Sequence, residues 1–384
     1  MLSRQAVGPP VMQRLTASDT DASMPPNRLC GVAVGVPVAG AEVKPQVPRL
    51  LGAYQEALGP ALRGAVSGAA PDLLLPLHYH LGWVDAQGHP TVAEQGKGLR
   101  PTLCLFACEA MGAPPERALP AAVALECIHN FSLIHDDIQD GDRERRHRPT
   151  VWAVWGVNKA LTAGNALRVL ADLALLRLHW SGVSAQVVVQ ASRVLTEGYL
   201  EMIEGQVLDL SYETRLDITV QDYLHMVSKK TAALMGVALH LGTLVAGAAE
   251  TAVDALRQAG RLLGIAFQVQ DDVLGIWGER AVTGKAVGAD IVRRKKSFPI
   301  VYALQYAPQE LATRLRTFYQ GESMNLHQVA QVLDILDKVQ ARSYAQRTAH
   351  GFCQEALNLA RPVLPSWAAD ALEELAHFVV DRPM

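Results

Sequence analysis

The sequence predicts an all-α fold, a single large bundle of about ten or more helices, and three observations carry that prediction. From Arg49 onward apolar residues recur at three-to-four spacing, the period of an amphipathic helix. No strand-like alternation bounded by hairpin signals recurs. Hydrophobic residues make up 49% of the chain and charged ones 19%, which supports a large buried core and excludes general disorder. The 384 residues exceed the usual roughly 100–200 of one domain, but large helical enzymes often keep one core, so length alone does not require two.

Taken in order, residues 1–48 are rich in Pro, Gly, Ala and Val without helical periodicity and include Pro9-Pro10, Pro25-Pro26 and Pro45. They read as a flexible leader, with the helical domain over 49–384. An apolar helix is expected at 101–111. Helical periodicity then runs over 118–140, 159–179, 184–210 and 222–248. It continues at 250–277, 296–306, 326–340 and 344–360, and ends at 367–380. The segment 161–178 is apolar nearly all round, which suits a central helix better than a surface one. No internal repeat is visible.

A net charge of -3 and a pI near 6.5 offer no global field for nucleic acid or an anionic membrane, so any anion binding must be local. The five cysteines (Cys30, Cys104, Cys108, Cys127, Cys353) show no CxxC spacing and read as reduced, mostly buried thiols. Neither a basic segment leading into an apolar core nor an apolar run of about 18 residues occurs. The expectation is a soluble cytoplasmic protein with no membrane span and no nucleic-acid partner.

The strongest local signal is His135-Asp136-Asp137-Ile138-Gln139-Asp140, at the end of an otherwise apolar helix. At 3.6 residues per turn Asp136 and Asp140 point the same way, and such a pair repels itself unless a cation sits between. A second acidic pair, Asp271-Asp272, also sits late in a helix. Two facing clusters would form a hard-oxygen cage suited to Mg2+, which bridges a few carboxylates to substrate phosphates. A capped or solvated helix end would account equally for either cluster alone.

Basic residues alternate with these clusters: Lys97 and Arg100, then Arg143, Arg145, Arg146 and Arg148, then Lys230, Lys285, Lys295 and Lys296. Arg and Lys bind phosphate oxygens directly whereas carboxylates need a metal between, so the mixture suits two anionic groups held differently. His129 lies seven residues before Asp136 and shares its face; a satisfied core histidine would fit as well. No Ser-His-Asp arrangement, Gly-rich phosphate loop or dinucleotide fingerprint appears.

At these residues the chain resembles the trans-isoprenyl diphosphate synthases, from about Arg49 to the C-terminus. The resemblance rests on Gly96-Lys97-Gly98-Leu99-Arg100-Pro101, on Glu126-Cys127-Ile128-His129 leading into the first acidic motif, and on Arg145-Arg146-His147-Arg148-Pro149-Thr150. It continues at Gly205-Gln206 with Asp209-Leu210, Lys230-Thr231, 267–272, and Gly284-Lys285 with Gly288 and Asp290. It implies a helical fold around a deep central cavity, usually dimeric, in which three Mg2+ ions bind an allylic diphosphate through both acidic motifs.

Carried over residue by residue, the resemblance makes Asp136, Asp140 and Asp271 metal ligands, with Asp137, Asp272 and Lys230 in the catalytic set. Arg145, Lys230, Thr231, Gln268 and Lys285 would contact the allylic diphosphate, and Lys97, Arg100, His129 and Arg146 isopentenyl diphosphate. Gln206, Asp209 and Lys295 join the substrate-binding residues. The implied activity is head-to-tail condensation of the two substrates into a linear prenyl diphosphate.

The sequence departs from the family pattern at three places. Gly275 stands where a third aspartate of the second acidic motif is usual, Gly98 where a basic residue is common, and His147 where glycine is usual. Metal binding is expected to survive the first. In the family, product length depends on residues just before the first acidic motif; Phe131 and Ser132 there resemble the geranylgeranyl type. On an ideal helix Phe131 lies roughly 140° from Asp136, so its role at the cavity floor comes from the resemblance alone. Two rivals remain at this point: a class I terpene cyclase on the same fold, and a non-catalytic partner subunit.

Overall fold

In the computed structural model, which describes residues 48–91, 96, 98–279, 287–321 and 323–382, helix begins at Arg49 directly after Pro48. Three short helices, α1 (Arg49–Ala53), α2 (Gln55–Val66) and α3 (Pro71–His80), precede α4 (Leu99–Ala110) and α5 (Leu119–Gln139). A small hairpin, β1 (Glu144–Arg145) and β2 (Arg148–Pro149), leads to α6 (Val151–Trp155), α7 (Val157–Leu176) and α8 (Ala185–Tyr212). Then come α9 (Val220–Lys230), α10 (Ala232–Ala246) and α11 (Glu250–Trp277). The chain ends with α12 (Ala289–Val292), α13 (Phe298–Tyr306), α14 (Gln309–Gln320), α15 (Leu326–Lys338), α16 (Ala341–Ala360) and α17 (Ser366–Val380). The reading of 1–48 as a leader falls, Pro48 apart, outside the described residues.

Local chemistry sets many of these boundaries. Thr219 and Asn325 close capping boxes at α9 and α15, Ser184 caps α8 through Val187 N, and prolines occupy the first turns of α3, α5 and α13. Helix α10 is apolar almost all round and buried along nearly its whole length, and α4, α8 and α11 pack against it. In turn α11 packs on α16, and α5 on α7. A smaller apolar core gathers Ile276, Ile291, Leu315, Val332 and Leu336 around α12–α15.

The all-α class is as the periodicity predicts, with four local differences. The stretch expected as 222–248 is two helices, broken at Thr231 (φ -106°), which turns the chain between α9 and α10. Helix α14 goes unread in the sequence because only Ala312, Leu315 and Tyr319 of its twelve residues are buried, too sparse a stripe to stand out. The segment 161–178 is not a central helix: one face of α7 packs on α5, while Leu161, Val169, Leu173 and Leu176 are exposed. The hairpin is too short for alternation to be legible. Its turn residues Arg146 and His147 lie at φ 49° and 59°, the left-handed pair of a two-residue type I′ connection, which explains why glycine suits position 147.

One contact aligns the elements that build the site. A Cβ at Gly205 in α8 would lie 2.2 Å from Lys230 N and 2.6 Å from its Cα, so α8 crosses the α9–α10 junction backbone to backbone. Gly205→Ala should therefore force the two helices apart. Overpacking against backbone costs on the order of 1–3 kcal/mol or more, so thermal unfolding followed by circular dichroism should show a Tm several degrees lower; an unchanged Tm would refute the close crossing.

Candidate active site

Helices α5, α8, α11 and the α9–α10 junction enclose a cavity of about 580 Å3, within the range of small-molecule sites. Helix α5 contributes Phe131, Ser132, His135, Asp136 and Gln139; α8 contributes Met202, Ile203, Gln206, Val207 and Asp209. Lys230, Thr231 and Leu234 come from the junction, and Phe267, Gln268 and Asp271 from α11. Arg100, His129, Arg145, Arg146, Lys295 and Lys296 complete the polar lining.

The cavity has a polar and an apolar end, and the chain order shows it. Along α5, α8 and α11 the apolar lining residue comes first and the acid follows: Phe131 before Asp136, Ile203 before Asp209, Phe267 before Asp271. Five residues of helix span about 7.5 Å. In α10, joined to α11 by the short turn Gly247–Ala249 and so running the other way, the order reverses, with Lys230 and Thr231 ahead of Leu234.

Most of the residues singled out in the sequence meet here, but the two acidic pairs split. Asp137 faces away from the cavity, buried against Arg145 Nε at 2.7 Å in a small pocket with Tyr79, His80 and Arg148. Asp272 is fully buried; it accepts hydrogen bonds from Tyr223 Oη, from Phe298 N at 2.8 Å and from Gln268 Nε2 at 3.2 Å. Consecutive helical residues point about 100° apart, so only one of each pair can face the cavity. Asp140 is solvent-exposed at the mouth beyond Asp136. Lys97 and Lys285 lie outside the described residues.

The polar end is densely charged. Lys230 Nζ pairs with Asp209, and Thr231 Oγ1 donates to Gln268 Oε1 at 2.9 Å. Gln206 Nε2 donates to Gln139 Oε1 at 2.8 Å. Burial pushes Asp136 up to about 6, with Asp140 and Asp209 adding to the rise and Lys230 opposing it. Asp140 is raised in the same way. For Lys295 burial acts to lower the pKa, but Asp272, Asp290, Asp209 and Asp271 together outweigh it and hold the ammonium charged. His129 is held neutral by burial and by Arg100 and Arg146, and its Nε2 accepts from Arg100 Nη1 at 3.3 Å.

Two residues at the site carry no motif. Arg382, at the far end of the chain, pairs with Asp271 Oδ1 at 2.6 Å and lies over the Phe267 ring at 4.7 Å. Nothing in its spacing could announce that contact. Gln139 was visible within the first acidic motif, but only its partner Gln206 makes it part of the lining.

Among the described residues no three His, Cys, Asp or Glu side chains gather closely enough to hold a metal ion by themselves. The donor set nevertheless fits Mg2+, because hard carboxylate oxygens crowded to the point of a raised pKa suit an ion that takes its remaining ligands from water and phosphate.

The polyprenyl synthetase family model matches residues 82–336. The chain belongs to the polyprenyl synthetase family. Among relatives, it is 39% identical to the (2E,6E)-farnesyl diphosphate synthase of Mycobacterium tuberculosis over 337 residues, 87% of this chain and 92% of that one. It is 40% identical to the geranylgeranyl diphosphate synthase of the same organism over 300 residues, 78% and 84% of the two chains. The crystal structure of a polyprenyl synthetase from Streptomyces coelicolor A3(2) superposes with a TM-score of 0.81 at 37% identity, covering 86% of this chain and 98% of that one. This polyprenyl synthetase is accordingly a prenyltransferase that forms prenyl diphosphates from isopentenyl diphosphate and an allylic diphosphate, in a family that works with Mg2+. No helix among the described residues is long and apolar enough to cross a membrane.

The raised Asp136 of this synthetase has a thermodynamic consequence. Its native pKa, about 6, lies above the ordinary 3.8, so the ionised carboxylate destabilises the metal-free fold above about pH 6 and the penalty disappears below about pH 4. Asp136→Asn should therefore stabilise the metal-free protein at pH 8, by up to about 3 kcal/mol and less where solvent reaches the group. Urea unfolding at pH 8 and pH 4 should show that gain only at the higher pH.

Proposed function

We propose that this synthetase condenses isopentenyl diphosphate head-to-tail with an allylic diphosphate to give geranylgeranyl diphosphate, acting in the cytoplasm as a homodimer with three Mg2+ ions. The observation that carries the reading is one cavity with carboxylates and cations at one end and Phe131 and Ser132 in the wall at the other. Relatives named for a farnesyl product support a second reading, in which growth stops one unit earlier.

In this reading Lys230, Arg145, Thr231, Gln268 and Lys295 hold the allylic diphosphate, with Lys285, and Arg100, His129 and Arg146 hold isopentenyl diphosphate, with Lys97. Asp136, Asp140 and Asp271 receive the metals, Asp137 orients Arg145 by its 2.7 Å contact, and Asp272 anchors Gln268. Bound Mg2+ would neutralise charge on the departing diphosphate. As the allylic carbon–oxygen bond breaks, Lys230, Arg145 and Lys295 stabilise the diphosphate electrostatically, and the apolar walls exclude the water that would quench the carbocation. The isopentenyl double bond attacks that carbon, a new carbon–carbon bond forms, and a proton leaves to the released diphosphate.

The dimer is supported by the bare apolar face of α7 and α8, where ten of the fifteen exposed large hydrophobic side chains of the described residues lie. The cytoplasmic assignment suits Cys104, Cys108, Cys127 and Cys353, all buried and unpaired.

Incubating the purified protein with Mg2+, isopentenyl diphosphate and dimethylallyl, geranyl or farnesyl diphosphate should yield a C20 prenol as the main product after dephosphorylation, identified by mass. A C15 end product would establish the second reading, and turnover that survives EDTA would overturn the metal dependence. Phe131→Ala should lengthen the main product by at least one C5 unit while consuming dimethylallyl diphosphate within a few-fold of the parent rate. An unchanged product would remove Phe131 as the stop.

A further inference from the structure

The outward face of α8 runs directly into the cavity wall. Val189, Arg193, Thr196, Leu200, Ile203 and Val207 follow one another at alternating four- and three-residue steps and are all exposed. That spacing is the seam on which a second helix interdigitates. Val189, Leu200 and Val207 are exposed by 69%, 53% and 61%. The last two residues of the seam, Ile203 and Val207, also line the cavity. Here, then, the wall is one layer of side chains thick, with cavity on one side and water on the other.

This wall is unsuited to the chemistry it encloses. An apolar chain and a carbocation need a water-free boundary, and Val207 alone leaves its own side chain more than half in solvent. On the opposite side of the cavity the corresponding positions are sealed: Leu234 and Met226 are buried under α10 and α9 packing. The adjoining face of α7 is bare in the same region, with Leu161 exposed beside His135, whose Nε2 reaches the Leu161 carbonyl at 3.4 Å and whose ring packs edge-on to Phe131 at 4.9 Å.

We infer that a second copy of this chain, seated on the α7/α8 face, supplies the outer layer of the prenyl cavity at Ile203 and Val207, so that product length is set partly across the subunit interface. The inference rests on the proposed prenyl-elongating function and deepens the dimer reading into a role for the dimer. The α8 face fits another α8. In an antiparallel pairing about an axis near Gly198, Val189 of one copy meets Val207 of the other, and Arg193 of one faces Glu204 of the other, so apolar meets apolar and opposite charges meet. The bare stripe offers roughly 500 Å2 of apolar surface at 60–120 Å2 per side chain. A stable homodimer buries about 800 Å2 per partner, roughly two thirds of it apolar.

The test uses Leu173→Glu and Val189→Glu, both on the bare face and neither in the cavity lining. Oligomeric state is read by light scattering, folding by circular dichroism and product length by mass. A dimeric parent, with folded monomeric variants that still consume dimethylallyl diphosphate but spread their products over several chain lengths, is the expected result. Folded monomers that give the parent's product distribution would overturn the inference alone; a monomeric parent would overturn it together with the dimer reading; absence of any prenol from the parent would instead strike the function. Should the charged variants fail to fold, Val207→Phe in the intact dimer is decisive: the product should shorten by one C5 unit, and an unchanged product overturns the inference.

Discussion

The backbone contact at Gly205 is the constraint on which the site depends. Because α8 has no side chain there, it passes within van der Waals distance of Lys229 and Lys230, and that crossing fixes what lies on either side of it. Asp209, one turn further along α8, meets the Lys230 ammonium, and Gln206 reaches Gln139 on α5. One turn earlier, Met202 and Ile203 face the cavity. The break at Thr231 belongs to the same arrangement, because a continuous helix over 222–248 would carry Lys230 past the crossing instead of ending α9 on it.

The acidic pairs show how adjacent residues of one motif divide between chemistry and scaffold. Asp271 opens onto the cavity, whereas Asp272 is fully buried and ties α11 to α9 through Tyr223 and to α13 through the Phe298 amide. Burying a carboxylate is costly unless it is hydrogen-bonded and paired, and Asp272 has both kinds of partner, including Lys295 at 3.5 Å. Lys295 is therefore shared between scaffold and cavity, and its position depends on the carboxylate that never reaches the substrate.

Much of this was legible because function here is written in local spacing. Asp136, His129 and Arg100 fall together as helical periodicity says they should, and the long helices announce themselves by apolar stripes. What was not legible depends on contacts between distant segments. Arg382 meets Asp271 across more than a hundred residues, and the bare face of α7 looks in sequence like any buried helix, because apolarity cannot say what covers it. The three departures from the family pattern also acquire reasons only in space. A Cβ at Gly275 would fall 2.1 Å from Asp290 Oδ2, so an aspartate there would collide with a carboxylate already in place. Gly98 takes the left-handed conformation, φ 57°, as it opens α4, and His147 sits in that same region at the hairpin turn without glycine's freedom.

The apolar end of the cavity raises a question that affinity alone does not answer. Each condensation adds five carbons, and burying them is favourable by up to about 4 kcal/mol at roughly 0.8 kcal/mol per methylene. A cavity lined by Met202, Ile203, Val207 and Leu234 would on that ground hold a longer chain more tightly and favour further growth. Growth must therefore be stopped by steric exclusion, and the stop must oppose more than the gain from one unit. Phe131 suits that task because its ring is held: only 9% of the residue is exposed, and the ring is braced edge-on by His135, whose own ring fills the space beside Gly164 where a Cβ would come within 2.4 Å. A braced aromatic ring yields only if α5 and α7 separate, whereas an unbraced aliphatic wall such as Val207 yields by rotamer change, so the rigidity of the stop lies in the packing behind it.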